Sequence, residues 1–162
     1  MILYTYKRKG EIKMKKMIVF DMDGTIADLY GVEGWLDDLQ AEKTRPYDEA
    51  EPMYNMEELV DLLHKLQEIG WMIAVTTWLA KDATKEYNKA VTKAKKNWLA
   101  KYNFPYNEIH CVKYGRTKAD CTRNKADFQI LIDDNKKVRD GWTLGTTVNA
   151  QFDIMNFLKA LV

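Results

Sequence analysis

Three apolar runs in this chain end in polar residues that a buried strand does not need. MIVF at 17–20 runs into Asp21 and Asp23, WMIAVTTW at 71–78 carries Thr76 and Thr77 near its end, and DFQILIDDN closes on Asp133 and Asp134. Between the runs lie segments of helical period. MEELVDLLHKLQEIG puts Leu59, Leu62, Leu63 and Leu66 on one face, with Gly70 suited to the carboxyl-terminal cap. Ala80 to Tyr102 puts Tyr87, Val91, Ala94, Trp98 and Tyr102 on one face and a stripe of Lys81, Lys85, Lys89 and Lys93 on another. NEIHCVKYG and WTLGTTVN read as two further strands, and DIMNFLKALV as a closing helix. Strands alternating with helices predict an α/β protein with a parallel sheet covered on both faces. In such sheets ligands bind beyond the carboxyl ends of the strands. Asp21, Asp23, Thr76, Thr77, Asp133 and Asp134 therefore converge on one edge.

Two aspartates one residue apart repel unless a cation lies between them or one keeps a proton. The pair calls for a metal, a proton-transfer task, or both. Four carboxylates, two hydroxyls and neighbouring lysines suit a hard cation and a phosphoryl group, because magnesium takes oxygen ligands and shares them with substrate phosphate. A carboxylate can also act as a nucleophile and split one hard hydrolysis into two easier steps. Threonine hydroxyls can donate to phosphoryl oxygens, and a lysine can neutralise the charge that accumulates on them.

The chain is 162 residues long, which fits one domain. Residues 1–13 read as an extension, or as a short strand or arm packed on the domain. Residues 14–162 read as the core domain, with a small insertion at about 31–54. The net charge of +1 points to no polyanionic partner. It conceals a split: residues 31–61 hold ten acidic against two basic residues, and residues 81–125 twelve basic against four acidic. The lysine stripe is most simply a solvated helix face, and nucleic-acid binding is not expected. Trp35, Trp71 and Trp78 read as packing residues; lining a pocket and stacking on a base is the alternative for Trp78, beside Thr77. Cys111 and Cys121 lack metal or disulfide spacing, so a reduced, cytoplasmic protein is expected. His64 and His110 are the only histidines, which argues against a histidine-based zinc site. No apolar run approaches the roughly 18 residues of a membrane span.

DMDGT after an apolar strand, VTT ending a second and ILIDD ending a later one resemble motifs I, II and IV of the haloacid dehalogenase superfamily. FDMDGTIADLYG with DFQILIDDNKKVRDGW is most similar to the 5′(3′)-deoxyribonucleotidases and their phage and bacterial relatives. The resemblance covers roughly Met17 to Val148 and implies a Rossmann-like three-layer sandwich with a small helical cap. It implies Asp21 as nucleophile and Asp23 as general acid, then base. Thr76, with Thr77 beside it, would hold the phosphoryl group. Magnesium would be held by Asp21, the backbone carbonyl of Asp23, Asp133 and Asp134, with Asp134 the favoured direct ligand. An acid at position 23 marks the superfamily's phosphatases. The motif III lysine is assigned to Lys118, after a glycine turn at the start of a helix, with Lys125 and then Lys113 as alternatives.

The expected function is a magnesium-dependent phosphatase of a small phosphomonoester, foremost a nucleoside monophosphate. The alternatives are a phosphatase of a nucleic-acid end or a sugar phosphate, and a non-catalytic binding module. The insertion is smaller than the caps of the best-known deoxyribonucleotidases, which leaves room for a more general substrate.

Overall fold

The computed structural model describes residues 13–162. Its centre is a five-stranded, all-parallel sheet in the order β5-β4-β1-β6-β7, formed by β1 (Lys16–Phe20), β4 (Trp71–Trp78), β5 (Glu108–Val112), β6 (Phe128–Asp133) and β7 (Gly145–Asn149). β1 lies in the middle, with Phe20 level with Val75 of β4 and Ile132 of β6. The three inner strands are apolar on alternate and intervening positions alike, as strands covered on both faces must be.

One face carries Ile18, Phe20, Ile73, Val75, Ile130 and Ile132, packed against α3 (Met56–Glu68), α7 (Ile154–Lys159) and the far end of α4 (Lys85–Lys101). Leu59, Leu63 and Leu66 of α3 are wholly buried there, each contributing roughly 1.5–3 kcal/mol by burial. Asn55 caps α3 by accepting from the Glu58 N–H at 3.0 Å. Met17, Val19, Ala74 and Leu131 form the opposite face with Ala119 of α5 (Ala119–Thr122), Val138 of α6 (Lys136–Asp140) and Trp142. The result is a three-layer sandwich of the Rossmann type.

Between β1 and α3 the chain makes a detour. β2 (Ala27–Asp28) pairs antiparallel with β3 (Glu51–Pro52), and between them come a 3₁₀ turn at Leu29–Gly31, α1 (Trp35–Gln40) and α2 (Arg45–Glu49). Leu29 and Tyr47 of this detour pack with Leu79, Ala80, Tyr87, Val91 and Ala94. The inserted helices thus lie against α4, beside the carboxyl ends of the strands.

The long helix begins later than its apolar period predicts, at Lys85 rather than Ala80. Asp82 takes a positive φ of 52°, and the Thr84 hydroxyl caps the helix by accepting from the Tyr87 N–H at 3.2 Å. Lys81 accordingly leaves the helix, while Lys85, Lys89 and Lys93 stay exposed. The expectation for residues 1–13 falls, apart from Lys13, outside the described residues. Among these residues, no helix is long and apolar enough to cross a membrane.

Candidate active site

The chain leaves β1 through a tight turn. The Met22 carbonyl accepts from the N–H groups of Thr25, Ile26 and Ala27 at 3.1, 2.9 and 3.0 Å, and Gly24 sits at φ +78°. A Cβ at Gly24 would lie 2.5 Å from Asp134 Oδ2 and 2.9 Å from the ring of Tyr30. The bare backbone is what lets the first and fourth strand ends approach. Gly24→Ala is therefore expected to push the Asp134 carboxylate aside and add left-handed strain of about 1–2 kcal/mol. Divalent-cation affinity should fall about tenfold or more, read as the midpoint of a magnesium titration followed by thermal unfolding. An unchanged midpoint would show that the close approach is not needed.

Lys118, at the amino end of α5, stands 2.6 Å from Asp21 Oδ1 and 2.8 Å from Asp133 Oδ2. The second oxygen of Asp21 accepts from the Thr25 hydroxyl at 3.1 Å, and that of Asp133 from the Asn135 N–H at 2.9 Å. Asp134 has only a long contact, 3.5 Å, from the Thr25 hydroxyl. Burial and the nearby Asp21 charge push the carboxyls of Asp133 and Asp134 above their usual range. Burial alone would pull the Lys118 ammonium down, but Asp21 and Asp133 outweigh it and hold it charged. Asp21, Asp133 and Asp134 each offer an oxygen within 4.8 Å of the others. Three carboxylates against one ammonium leave an excess of two negative charges, and an all-oxygen donor set of that charge fits a hard divalent cation.

Asp23 faces elsewhere. Its Oδ2 lies 2.6 Å from the ammonium of Lys95, which reaches in from α4 and also donates to Thr77 Oγ1 at 2.6 Å and the Trp78 carbonyl at 2.9 Å. The three carboxylates expected at the metal gather, and Asp23, expected there only through its backbone carbonyl, turns its carboxylate to Lys95. Burial raises the Asp23 carboxyl above its ordinary value, against the opposing pull of Lys95. Thr76, one position beyond the last ladder pair of β1 with β4, is fully buried, and its hydroxyl has no partner among the described residues. A buried orphan hydroxyl is costly, and it stands at the strand end nearest Asp21.

Of the three candidate lysines, Lys118 alone reaches the cluster. Lys125 is exposed at the opposite, amino-terminal end of the sheet, in a groove it shares with Lys13, Lys15 and Arg123, and Lys113 is exposed. Two participants escaped the sequence reading. Thr25 is the last residue of DMDGT itself, and Lys95 occupies the apolar face of α4, four residues after Val91 and three before Trp98.

Above the carboxylates opens a cavity of about 670 Å³ lined by Asp21, Asp23, Lys118 and Asp134 below and by aromatic side chains higher up. Trp78 and Tyr114 are 5.0 Å apart between ring centroids, and Tyr30 and Trp35 4.9 Å. Trp78 Nε1 donates to the Arg116 carbonyl at 2.8 Å, which fixes its ring.

By sequence, no family model and no curated protein matches the chain. By structure, it is similar to the D,D-heptose 1,7-bisphosphate phosphatase of Burkholderia thailandensis, with a TM-score of 0.53 and 14% identity over 90% of this chain and 97% of that one. It is also similar to the D,D-heptose 1,7-bisphosphate phosphatase of B. bronchiseptica, complexed with magnesium and phosphate, with a TM-score of 0.50 and 12% identity over 78% and 74% of the two chains. The central parallel sheet, its flanking helices and this likeness together give the chain a Rossmann-like α/β fold shared with these two proteins.

Proposed function

We propose that the protein is a magnesium-dependent phosphatase that hydrolyses a small phosphomonoester through an aspartyl-phosphate at Asp21. The observation that carries the reading is the arrangement at the end of β1: Asp21 paired at 2.6 Å with a buried lysine, inside a carboxylate cluster of excess negative charge, on the floor of a cavity. Magnesium bound by Asp21, Asp133 and Asp134 would neutralise charge on the phosphoryl oxygens. The likeness to a phosphatase complexed with magnesium and phosphate supports this choice of metal.

The chain's own groups divide the remaining work. Asp21 attacks phosphorus, and the bond to the leaving oxygen breaks with its electron pair going to that oxygen. Asp23 supplies the proton. Lys118 offsets charge on the transferring group, and the free hydroxyl of Thr76 donates to a phosphoryl oxygen. In the second step Asp23, now a carboxylate, takes a proton from the water that attacks phosphorus, and Asp21 is released. The inserted residues 31–54 act as a small cap whose Trp35, with Tyr30 just before the insertion, forms a side wall that limits solvent access.

For the substrate, the reading is a nucleoside monophosphate, whose leaving group is the nucleoside, as in the 5′(3′)-deoxyribonucleotidases. Aromatic walls formed by Trp78 and Tyr114, tilted 55° to each other, and by Tyr30 and Trp35, set edge to face, support it, since stacking of one ring on a base contributes about 1–3 kcal/mol. A sugar phosphate is the second reading, favoured by the substrates named for the two structural neighbours. A panel of phosphomonoesters with magnesium separates them. The expected result is a kcat/KM for nucleoside monophosphates at least about tenfold above sugar phosphates, reduced by about tenfold in Trp78→Ala. The reverse order would transfer the substrate to the sugar class, and no hydrolysis of any member would end the phosphatase reading.

A further inference from the structure

Lys95 is the one buried charged side chain of α4, with no exposed surface. Its ammonium has three N–H groups and three acceptors: Asp23 Oδ2, Thr77 Oγ1 and the Trp78 carbonyl. The ring of Tyr47, itself buried and supplied by α2 of the insertion, stands 5.1 Å away. Such a pair is a poor source of stability, because removing two charges from water costs as much as their attraction returns. An apolar residue at position 95 would simply continue the stripe of Val91, Ala94, Trp98 and Leu99. The pair calls for another reason.

That reason lies in the two oxygens of Asp23. Oδ2 is held at 2.6 Å, whereas Oδ1 accepts no hydrogen bond among the described residues, and Asp23 lines the cavity alongside Asp21. We propose that Lys95 is a positioning residue for proton transfer: it clamps Asp23 by Oδ2 so that Oδ1 is presented to the leaving oxygen. The inference rests on the phosphatase reading above. As the Asp21–phosphorus bond forms and the bond to the leaving group breaks, the leaving oxygen takes the proton from Oδ1. The negative charge that appears on Asp23 then lies against the Lys95 ammonium. When water attacks, its proton returns to Oδ1 and the electron pair of the Asp21–phosphorus bond returns to Asp21. Lys95 also occupies the acceptor side of the Thr77 hydroxyl and so leaves that hydroxyl's proton for a phosphoryl oxygen. Through Tyr47 the clamp is closed by the insertion, which ties the acid to the segment covering the site.

The test compares Lys95→Met, Asp23→Asn and the double variant on two substrates, an alkyl phosphomonoester and p-nitrophenyl phosphate, by kcat/KM with saturating magnesium. That parameter reports the step in which the leaving group departs, and only the alkyl leaving group needs a proton. Lys95→Met should lose roughly tenfold to a hundredfold on the alkyl ester, short of the full value of acid catalysis, and less than about threefold on the aryl ester. In the Asp23→Asn background it should cost nothing further on the alkyl ester. Equal losses on both substrates, or additive losses in the double variant, would overturn the clamp while leaving the phosphatase reading intact. Absence of hydrolysis by the unaltered protein would remove both. If Lys95→Met does not fold, Lys95→Gln, which keeps a donor without the charge, is read by the same two-substrate comparison. Failure of both variants to fold would make the pair a structural one and reject the proposal.

Discussion

Asp21→Asn is expected to abolish turnover, by about ten-thousandfold or more, while leaving the fold in place. An amide nitrogen or oxygen is a far weaker nucleophile than a carboxylate, and residues that act as one unit lose nearly all their rate when the nucleophile is removed. The structure adds a reason to expect a folded variant. Asp21 sits between Lys118 at 2.6 Å and the Thr25 hydroxyl at 3.1 Å; an asparagine oxygen can still accept from Lys118 while its amide N–H donates to the Thr25 hydroxyl, which can accept as well as donate. The change also removes one of three crowded negative charges. Repulsion with Asp133 and Asp134 is relieved, so thermal stability without metal should hold or rise, and magnesium should stabilise the variant less than the unaltered protein. A purified variant with a native circular-dichroism spectrum and near-normal turnover would remove Asp21 from the nucleophile's place.

The sheet was legible because its inner strands are buried on both faces and must be largely apolar, as MIVF, WMIAV and ILI are. The site was legible for the complementary reason: Asp21, Thr76, Thr77, Asp133 and Asp134 break that apolar rule at strand ends, where a solvated loop residue would cost nothing but a buried one needs a task. The start of α4 was misread because Leu79 and Ala80 are apolar and continue the helical period, yet they pack against Leu29 and Tyr47 of the insertion from a loop. Lys95 was hidden by its neighbours. In KEYNKAVTKAKKNWLAK six of seventeen residues are lysine, and Lys95 is one of them; only its phase, in register with Val91 and Trp98, marks it as inward-facing. The aromatic wall drew on the same blind spot. Tyr30, Trp35 and Tyr47 lie in a segment rich in acidic residues, whose composition speaks for solvent rather than for a cavity.

The two lysines that touch aspartates at the site divide its charges into two compartments. Lys118 with Asp21, Asp133 and Asp134 is deficient in positive charge, whereas Lys95 leaves no excess negative charge at Asp23, whether or not that carboxyl holds its proton. A cation is therefore drawn to the first compartment and not to the second. On the proposed mechanism this keeps the Asp23 carboxyl apart from the metal, although Asp21 and Asp23 are two residues apart in the chain.

That asymmetry makes Lys118 the residue whose loss should be felt in two ways at once. In Lys118→Met the carboxylates of Asp21 and Asp133 remain buried without their partner, and breaking a buried pair in this manner costs about 3–5 kcal/mol. Thermal stability without metal should fall accordingly. Magnesium should then recover more stability in the variant than in the unaltered protein, because the cluster it enters carries three unopposed negative charges instead of a net two. Turnover follows a different rule. Metal can offset charge on the carboxylates but cannot stand where the ammonium stood, 2.6 Å from Asp21. Loss of one fixed counter-charge to the transferring phosphoryl group costs about 3 kcal/mol in the transition state, roughly a hundredfold in kcat at saturating magnesium. Lys125→Met, altering a lysine exposed at the far end of the sheet, should change kcat by less than about twofold. Magnesium titrations of stability and of turnover on both variants give the decisive comparison. A large loss in Lys125→Met with a small one in Lys118→Met would move the third motif along the chain. A loss of turnover in Lys118→Met that disappears at high magnesium would show that the lysine serves only to hold the carboxylates together, and not the phosphoryl group.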